Sequence, residues 1–249
     1  MGDNSKLYVP ESFVSIYRDR FLSLADVLTP NQTEAEQLTG MRILNESDAV
    51  ETLQWFHARG VRTVVITSMT YPSAATTVTA GSASTAAEGS VATASCSPRL
   101  IHVLASTIES GSPKDFPRPT RYARMSFEYV PMYFSGTGDL TAALLLAWLT
   151  RLHEQEAGGK AAGSTSAASD VPAPPCFSFA TVVRALELSM ATLQAVIRRT
   201  FEAHSEELFL IQSKNDIEHP NVTQKAEIVE NAGATLGVAT AAAAHADTV

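Results

Sequence analysis

The 249-residue sequence predicts an α/β layered domain. Three observations carry that expectation. Val64-Val65-Ile66-Thr67 is a β-branched run typical of a buried strand. Two long segments carry apolar residues at helical spacing. The leading third of the chain reads as strand, helix, helix and strand, the alternation that layered α/β domains require.

Taken in order, Pro10 to Leu24 reads as a helix with Phe13, Ile16, Tyr17, Phe21 and Leu24 on one face. Ala25 to Thr29 reads as a short buried strand stopped by Pro30. A second helix begins near Thr33. A third runs from an N-cap at Ser47 to about Arg59, where Gly60 ends it. Val64–Thr67 is the clearest strand, and Tyr129–Phe134 is a further strand candidate leading into a glycine-rich turn. Ser178 to Ala203 predicts a long helix with Val182, Leu186, Met190, Leu193 and Ile197 inward, and Leu208–Gln212 reads as a final strand. Residues 73–97 and 156–175 are rich in small residues and read as surface insertions, with a hairpin across the first as an open alternative. The organisation expected is one domain over 1–232 and a disordered Ala-rich tail over 233–249.

Bulk composition narrows the function classes. A net charge of −8 and a pI near 5.2 argue against general binding to nucleic acid or anionic membranes. Cys96 and Cys176 offer neither a disulfide framework nor metal spacing, which suits a reducing, cytoplasmic setting. The six histidines are scattered, so imidazole metal sites are not expected. Lys6, Glu11, Arg18 and Asp19 interrupt any leading apolar run, so no export signal is read. Lys6 also stands where an N-myristoylation motif wants Ser or Thr. The sequons at Asn31, Asn45 and Asn221 are read as chance matches.

Gly136-Thr137-Gly138-Asp139 is the most informative stretch. It precedes the apolar run Leu140–Leu149, so a glycine-rich turn opens a helix. Such a turn gathers unpaired backbone N–H groups and the positive end of the helix dipole, which attract phosphate. Asp139 gains nothing electrostatically beside a phosphate. It is explained if it takes a proton from a hydroxyl that attacks that phosphate, or if it is an ordinary N-cap.

Further segments carry a family resemblance. Leu28-Thr29-Pro30-Asn31-Gln32-Thr33-Glu34-Ala35 resembles the Thr-Pro-Asn-x-x-Glu-Ala segment of vitamin kinases with the ribokinase-like fold. Ile66-Thr67-Ser68, Gly136–Asp139 and Gln212-Ser213-Lys214-Asn215-Asp216-Ile217 follow at suitable intervals. With Tyr8-Val9-Pro10, the set is similar to the pyridoxal kinases in particular, from Met1 to about Pro220. The resemblance implies a three-layer α/β/α sandwich with a mostly parallel central sheet. It also places Gly2-Asp3 at what is an internal position in family members, so the expectation is a fold lacking its leading strands, as a fragment, through a misplaced start or as a shortened relative.

The same resemblance implies roles. Asp139 would be the catalytic base toward the 5′-hydroxymethyl group of pyridoxal. Gly136, Thr137 and Gly138 would form an anion hole for the transferred phosphoryl group. Asn31 and Glu34 would lie near the triphosphate of ATP and organise Mg²⁺ through water. Asp3 would contact Mg²⁺. Thr29 and Thr67 match a monovalent-cation site (K⁺ or Na⁺), with Thr67 and Ser68 also near ATP. Tyr8 would lie near pyridoxal. Plainer readings stand beside these: an N-cap for Asn31, a first-turn acid favoured by the helix dipole for Glu34, strand packing and strand-end hydrogen bonding for Thr29 and Thr67, a solvated Asp3 and a packing Tyr8. Lys214 and Asp216 match the family with no chemical task and are read as structural. The function implied is ATP-dependent phosphorylation of pyridoxal, pyridoxine or pyridoxamine, by an enzyme that is a homodimer when full length. The alternatives are an inactive nucleotide-binding remnant and a hydroxymethylpyrimidine kinase.

Overall fold

The structure is a computed structural model that describes residues 2–3, 6–72, 99–109, 121–160 and 176–230. Its chain order is β1 (Gly2–Asp3), β2 (Lys6–Leu7), α1 (Ser12–Ile16), β3 (Val27–Leu28), α2 (Gln32–Thr39), α3 (Glu46–His57), β4 (Thr63–Met69), β5 (Leu100–Thr107), β6 (Arg121–Glu128), α4 (Thr137–Lys160), α5 (Phe179–Glu202), α6 (Lys214–Glu218) and β7 (Glu227–Glu230). β1 and β2 form an antiparallel pair, and the other five strands form one sheet in the order β3-β4-β5-β6-β7.

Period-two alternation makes this sheet two-faced. Val64, Ile66, Leu104 and Tyr122 pack with Ala35, Leu38, Leu53 and Phe56 of α2 and α3. Val65, Val103, Ala105, Ala123 and Met125 pack on the other face with Leu145, Leu149, Val182 and Leu186 of α4 and α5. Helices therefore cover both faces, which gives the expected three-layer α/β/α arrangement. Pairing is mixed, however. Only β3 and β4 run parallel, and the β4–β5, β5–β6 and β6–β7 pairs are antiparallel. Mostly parallel pairing therefore does not describe these five strands.

α5 matches its expected span, with Ser178 as N-cap accepting from the Thr181 amide. It is long and apolar enough to cross a membrane by length and composition, yet more than half of that stretch is buried against the sheet and α4. β7 is drawn to α5 through Glu187. Burial would raise the Glu187 pKa, but bonds from Lys225, the Ala226 amide and Arg184 outweigh it and hold the carboxyl below the usual range.

Several expectations are corrected. The first helix turns a different face inward. Tyr17–Phe21 is a π-helical stretch and Leu22–Leu24 a 3₁₀ turn, so the 3.6-residue phase is lost midway. Val14 and Leu22 are the buried positions, while Phe13, Ile16, Tyr17, Phe21 and Leu24 are exposed. Arg18, between the two buried residues, donates to the carbonyls of Gln37 and Leu38 and so holds the 14–18–22 face against the end of α2. The N-cap of α3 is Asn45, not Ser47, with its side chain accepting from the Asp48 amide.

Tyr129–Phe134 is not a strand. Pro131 interrupts it, and Met132 N donates to Val130 O at 2.8 Å in a tight turn. Leu208–Gln212 is not a strand either. Phe209 N donates to Thr200 Oγ1, and Arg199 donates to Gln212 O, so the segment is spent on the end of α5. The helix that begins at Thr137 runs to Lys160, so residues 156–160 belong to it and not to an insertion. Residues 161–175, 73–98 and the expected tail lie outside the described residues. β4 and β5, which flank 73–98, do pair antiparallel, as a hairpin requires.

At the end of the sheet where β4 starts lies a buried polar network. His57 is fully buried. Its Nδ1 donates to Val61 O at 2.8 Å, which leaves Nε2, 2.6 Å from Ser106 Oγ, to accept the hydroxyl proton. Thr63 and Thr107 share a bond nearby. Burial pushes the His57 pKa down from 6.5 to about 4, against an opposing pull from the Val61 bond. The unfolded chain therefore takes up this proton first as pH falls. The stability due to neutral His57 is complete above pH 6.5 and is lost between there and about pH 4, a difference of roughly 3 kcal/mol. Urea unfolding at pH 7.5 and at pH 4.5 should show that loss, and His57→Met should flatten the slope relative to the unaltered protein.

Candidate active site

The register of the sheet decides which residues can meet. Met69 pairs with His102, and His102 pairs with Ser126. The exits of β4 and β6 therefore share one end of the sheet. β3 runs parallel to β4, so Thr29 and Asn31 leave at that same end. α5 begins at the opposite end, where Phe179 N donates to Glu109 and Cys176 lies against Ile108 O. Its 24 residues span about 36 Å, which returns its C-terminus to the exits of β4 and β6. There Ser135 N donates to Glu206 O at 2.9 Å, which fixes the turn before α4 to the segment after α5. Open α/β sheets bind ligands at such a strand-exit end.

The first turn of α2 is built by a capping box. Asn31 Oδ1 accepts from Glu34 N at 2.9 Å, and Asn31 N donates to Glu34 Oε2 at 3.0 Å. The same turn is fastened to β4: Thr67 N donates to Pro30 O at 2.8 Å, and Asn31 bridges Thr67. Thr67 is buried and its hydroxyl lies 3.4 Å from Pro30 O. One residue later the strand is irregular. Ser68 has φ 57, and the β4–β5 register shifts between Ile66 and Met69. A left-handed serine inside a strand is costly and recurs at functional sites, as do bulges. Ser68 is exposed, and its hydroxyl bonds no described residue.

Gly136 opens the second half of the site. Its φ of +85 is a conformation that L side chains rarely adopt, whereas space is no obstacle, since an added Cβ would lie 4.0 Å from Leu208. Its carbonyl accepts from Leu140 N, so α4 starts at Thr137. The helix supplies no carbonyl to the amides of Thr137, Gly138 and Asp139. An added Cβ at Gly138 meets nothing within 4 Å, which leaves open approach to these amides. Asp139 is the third helical residue, so the N-cap reading fails. Its side chain is exposed and makes no hydrogen bond or ion pair with a described residue.

The structure thus brings Thr29, Asn31, Glu34, Thr67, Ser68, Gly136, Thr137, Gly138 and Asp139 to one end of the sheet. Tyr8 is exposed, on the segment leading into α1. Asp3 lies in β1, which packs against α2, and its side chain lies outside what is described. No cluster of three or more His, Cys, Asp or Glu occurs among the described residues. The oxygen donors present suit a hard cation that takes the rest of its ligands from phosphates and water.

Asp216 is structural, as expected. It accepts from Arg199 at 2.8 Å, and its carbonyl accepts from Thr192. Lys214 sits 3.7 Å from Glu218 on an exposed surface. Sequence reasoning missed Arg199, which gathers Gln212 O, Ser213 Oγ and Asp216 in one place. The signal was its position in the last turn of a helix, where cations find carbonyls. A cavity of about 370 Å³ lies between β6, α5 and the 221–224 segment, lined by Met125, Phe127, Gln194, Arg198, Asn221 and Thr223 among others. None of the nine candidate residues from Thr29 to Asp139 lines it.

The capping box gives a direct test. Asn31→Ala should lower stability by about 1 kcal/mol, read as a fall in Tm of about 2–4 °C, whereas Asn31→Asp should restore most of it.

Comparison with known proteins identifies what the chain and its fold resemble. A family model described as phosphomethylpyrimidine kinase matches residues 2–95. The pyridoxal kinase of Arabidopsis thaliana is 34% identical over 238 residues, covering 91% of this chain and 58% of that enzyme. The pyridoxal kinase of Sus scrofa is 31% identical over 247 residues, covering 92% of this chain and 61% of that enzyme. Among solved structures, the pyridoxal kinase of Leishmania donovani in complex with ADP and pyridoxamine superposes with a TM-score of 0.62 at 25% identity, covering 92% of this chain and 58% of that one. The chain therefore spans about three fifths of the length of these relatives. Along nearly its whole length the chain is homologous to the pyridoxal kinases and carries their ribokinase-like fold.

Proposed function

We propose that this chain handles the nucleotide and the phosphoryl transfer of a pyridoxal kinase, moving the γ-phosphate of ATP to the 5′-hydroxymethyl oxygen of pyridoxal, pyridoxine or pyridoxamine. One observation carries the reading: Asp139 presents a solvent-exposed carboxylate with no described partner at the mouth of a glycine-rich helix start. The N–H groups of Thr137, Gly138 and Asp139 point out of that mouth and can receive the charge that develops on the transferred phosphoryl oxygens. Asp139 then accepts the proton of the attacking hydroxyl, which forms the new O–P bond as ADP leaves. The ADP and pyridoxamine held by the Leishmania relative support this pairing of donor and acceptor.

Thr67 and Ser68 at the exit of β4 are assigned to the phosphates, with the left-handed Ser68 turning its hydroxyl outward. Asn31 and Glu34 are assigned to the same region through the first turn of α2. ATP brings about four negative charges, so carboxylates such as Glu34 and Asp139 are tolerated there only with a cation between. Mg²⁺, when bound, supplies that neutralisation. Glu34 and Asp3 would hold it, largely through water, and the bond from Asn31 N to Glu34 Oε2 sets where the Glu34 carboxylate sits. Thr29 and Thr67 offer oxygen donors on adjacent strand exits for a monovalent cation. Tyr8 is assigned to the acceptor side.

A second reading uses the same residues: the strand-exit amides and hydroxyls would also serve a unit that binds nucleotide without turnover. The match to a phosphomethylpyrimidine kinase model over 2–95 also keeps a related hydroxymethyl pyrimidine as a competing acceptor.

Nucleotide binding and turnover, measured separately, test these readings. The kinase reading expects ADP binding together with formation of pyridoxal 5′-phosphate. Asp139→Asn should then lower kcat by about a hundred- to ten-thousandfold and leave ADP affinity within about twofold. An unchanged kcat overturns Asp139 as the base. ADP binding with no product from any vitamer supports the second reading, and competition by the pyrimidine alcohol would reassign the acceptor.

A further inference from the structure

Gln32 takes no part in the capping box, yet its carboxamide is fully employed. Its Oε1 accepts from Thr70 N at 2.9 Å, and its Nε2 donates to Ile43 O at 2.8 Å. The amide orientation is settled by these partners, because an N–H must face the oxygen and a carbonyl must face the nitrogen. Glu36 closes the arrangement, accepting from Ile43 N at 2.9 Å and lying 3.4 Å from Gln32 Nε2. Gln32 is therefore anchored on the loop after α2 and reaches across to the chain just beyond β4.

The place it reaches matters. β4 is held to the first turn of α2 at Thr67, by the Pro30 carbonyl, and again at Thr70, by Gln32. Between these two points lie Ser68 with its φ of 57 and the register shift. A left-handed serine persists only where the surrounding structure over-determines it. The Thr70 amide would otherwise continue the strand and let the bulge relax into the ladder with β5.

We infer that Gln32 is a positioning residue for nucleotide binding: by capturing the Thr70 amide it holds the Ser68 bulge open, so that the Ser68 hydroxyl and the neighbouring backbone face the phosphates of a nucleoside triphosphate. This rests on the kinase reading of the same site. Gln32 itself need not touch the ligand.

The test uses the full chain with three readouts: amide hydrogen exchange at Ser68 and Thr70, ADP affinity by calorimetry, and Tm. Gln32→Met removes both bonds at similar volume, and Gln32→Glu in its protonated form returns an acceptor to the Thr70 amide and a donor to Ile43 O. In the Met variant, Thr70 exchange should accelerate by at least about fivefold, as expected for one lost hydrogen bond. ADP affinity should fall by a comparable factor. In the Glu variant, protection at Thr70 and ADP affinity should recover together. A Met variant with lowered Tm but ADP affinity within twofold of the unaltered chain overturns the inference and leaves Gln32 a structural residue. So does recovery of Thr70 protection in the Glu variant without recovery of affinity. An unaltered chain that binds no ADP overturns the kinase reading and the inference with it, and is told apart by failing before any substitution is made.

Discussion

Thr67 gives its amide to the carbonyl of Pro30 at 2.8 Å, and that contact sets where the rest of the site can stand. It joins the chain just beyond the two-residue β3 to the exit end of β4. β3 is too short to hold its place by ladder bonds alone, so the chain beyond it must be tied down before a helix can start in register. Asn31 and Glu34 then close the first turn of α2 on themselves, and the residues after Thr67 are left free to depart from the ladder. A strand exit, a bulge and a helix start become one rigid edge. Preorganised donors of this kind bind developing charge without reorganising during the reaction.

The buried polar network and the proposed site occupy opposite ends of the same sheet. At the start of β4, Thr63, Ser106, Thr107 and His57 are all buried and satisfied by one another. At its exit, Ser68 is exposed, as are Gly136, Gly138 and Asp139. The two apolar layers between these ends hold the exit in place while contributing nothing polar to it. This division explains how an exposed left-handed serine and a carboxylate with no partner among the described residues are tolerated: their cost is local, and the layers that carry the folding energy do not pass through them.

The parts of the fold legible in the sequence were those with strong local signals. The β-branched run of β4 and the stripe of α5 are visible because burial on a sheet face and on one helix face leaves a fixed period. The glycine turn was legible for a different reason, since Gly136 adopts a backbone conformation that few other residues accept. The motif residues of the candidate site were legible from resemblance, and the structure collects nine of them at one end of the sheet. What was not legible depends on partners distant in sequence. Phe13, Ile16, Tyr17, Phe21 and Leu24 form a convincing stripe, yet Arg18 and a π-helical stretch turn a different face inward. Leu208–Gln212 is apolar enough for a strand but finds its bonds on α5. β5 and β6 abut long small-residue or polar stretches, and β7 is four residues of mixed polarity, so none announces itself. Gln32 sits inside a recognised motif, but its task appears only when Thr70, far along the chain, is placed beside it.

Under the proposed function, nucleotide phosphates lie where three separate segments converge at one strand-exit edge. Backbone amide shifts recorded while ADP and Mg²⁺ are titrated into the chain examine that convergence directly. Concerted shifts in Asn31–Glu34, Thr67–Ser68 and Gly136–Asp139, saturating at a single ADP concentration, are the predicted result. Shifts confined to the cavity beside Gln194, Arg198 and Asn221, with those three segments unmoved, would contradict it.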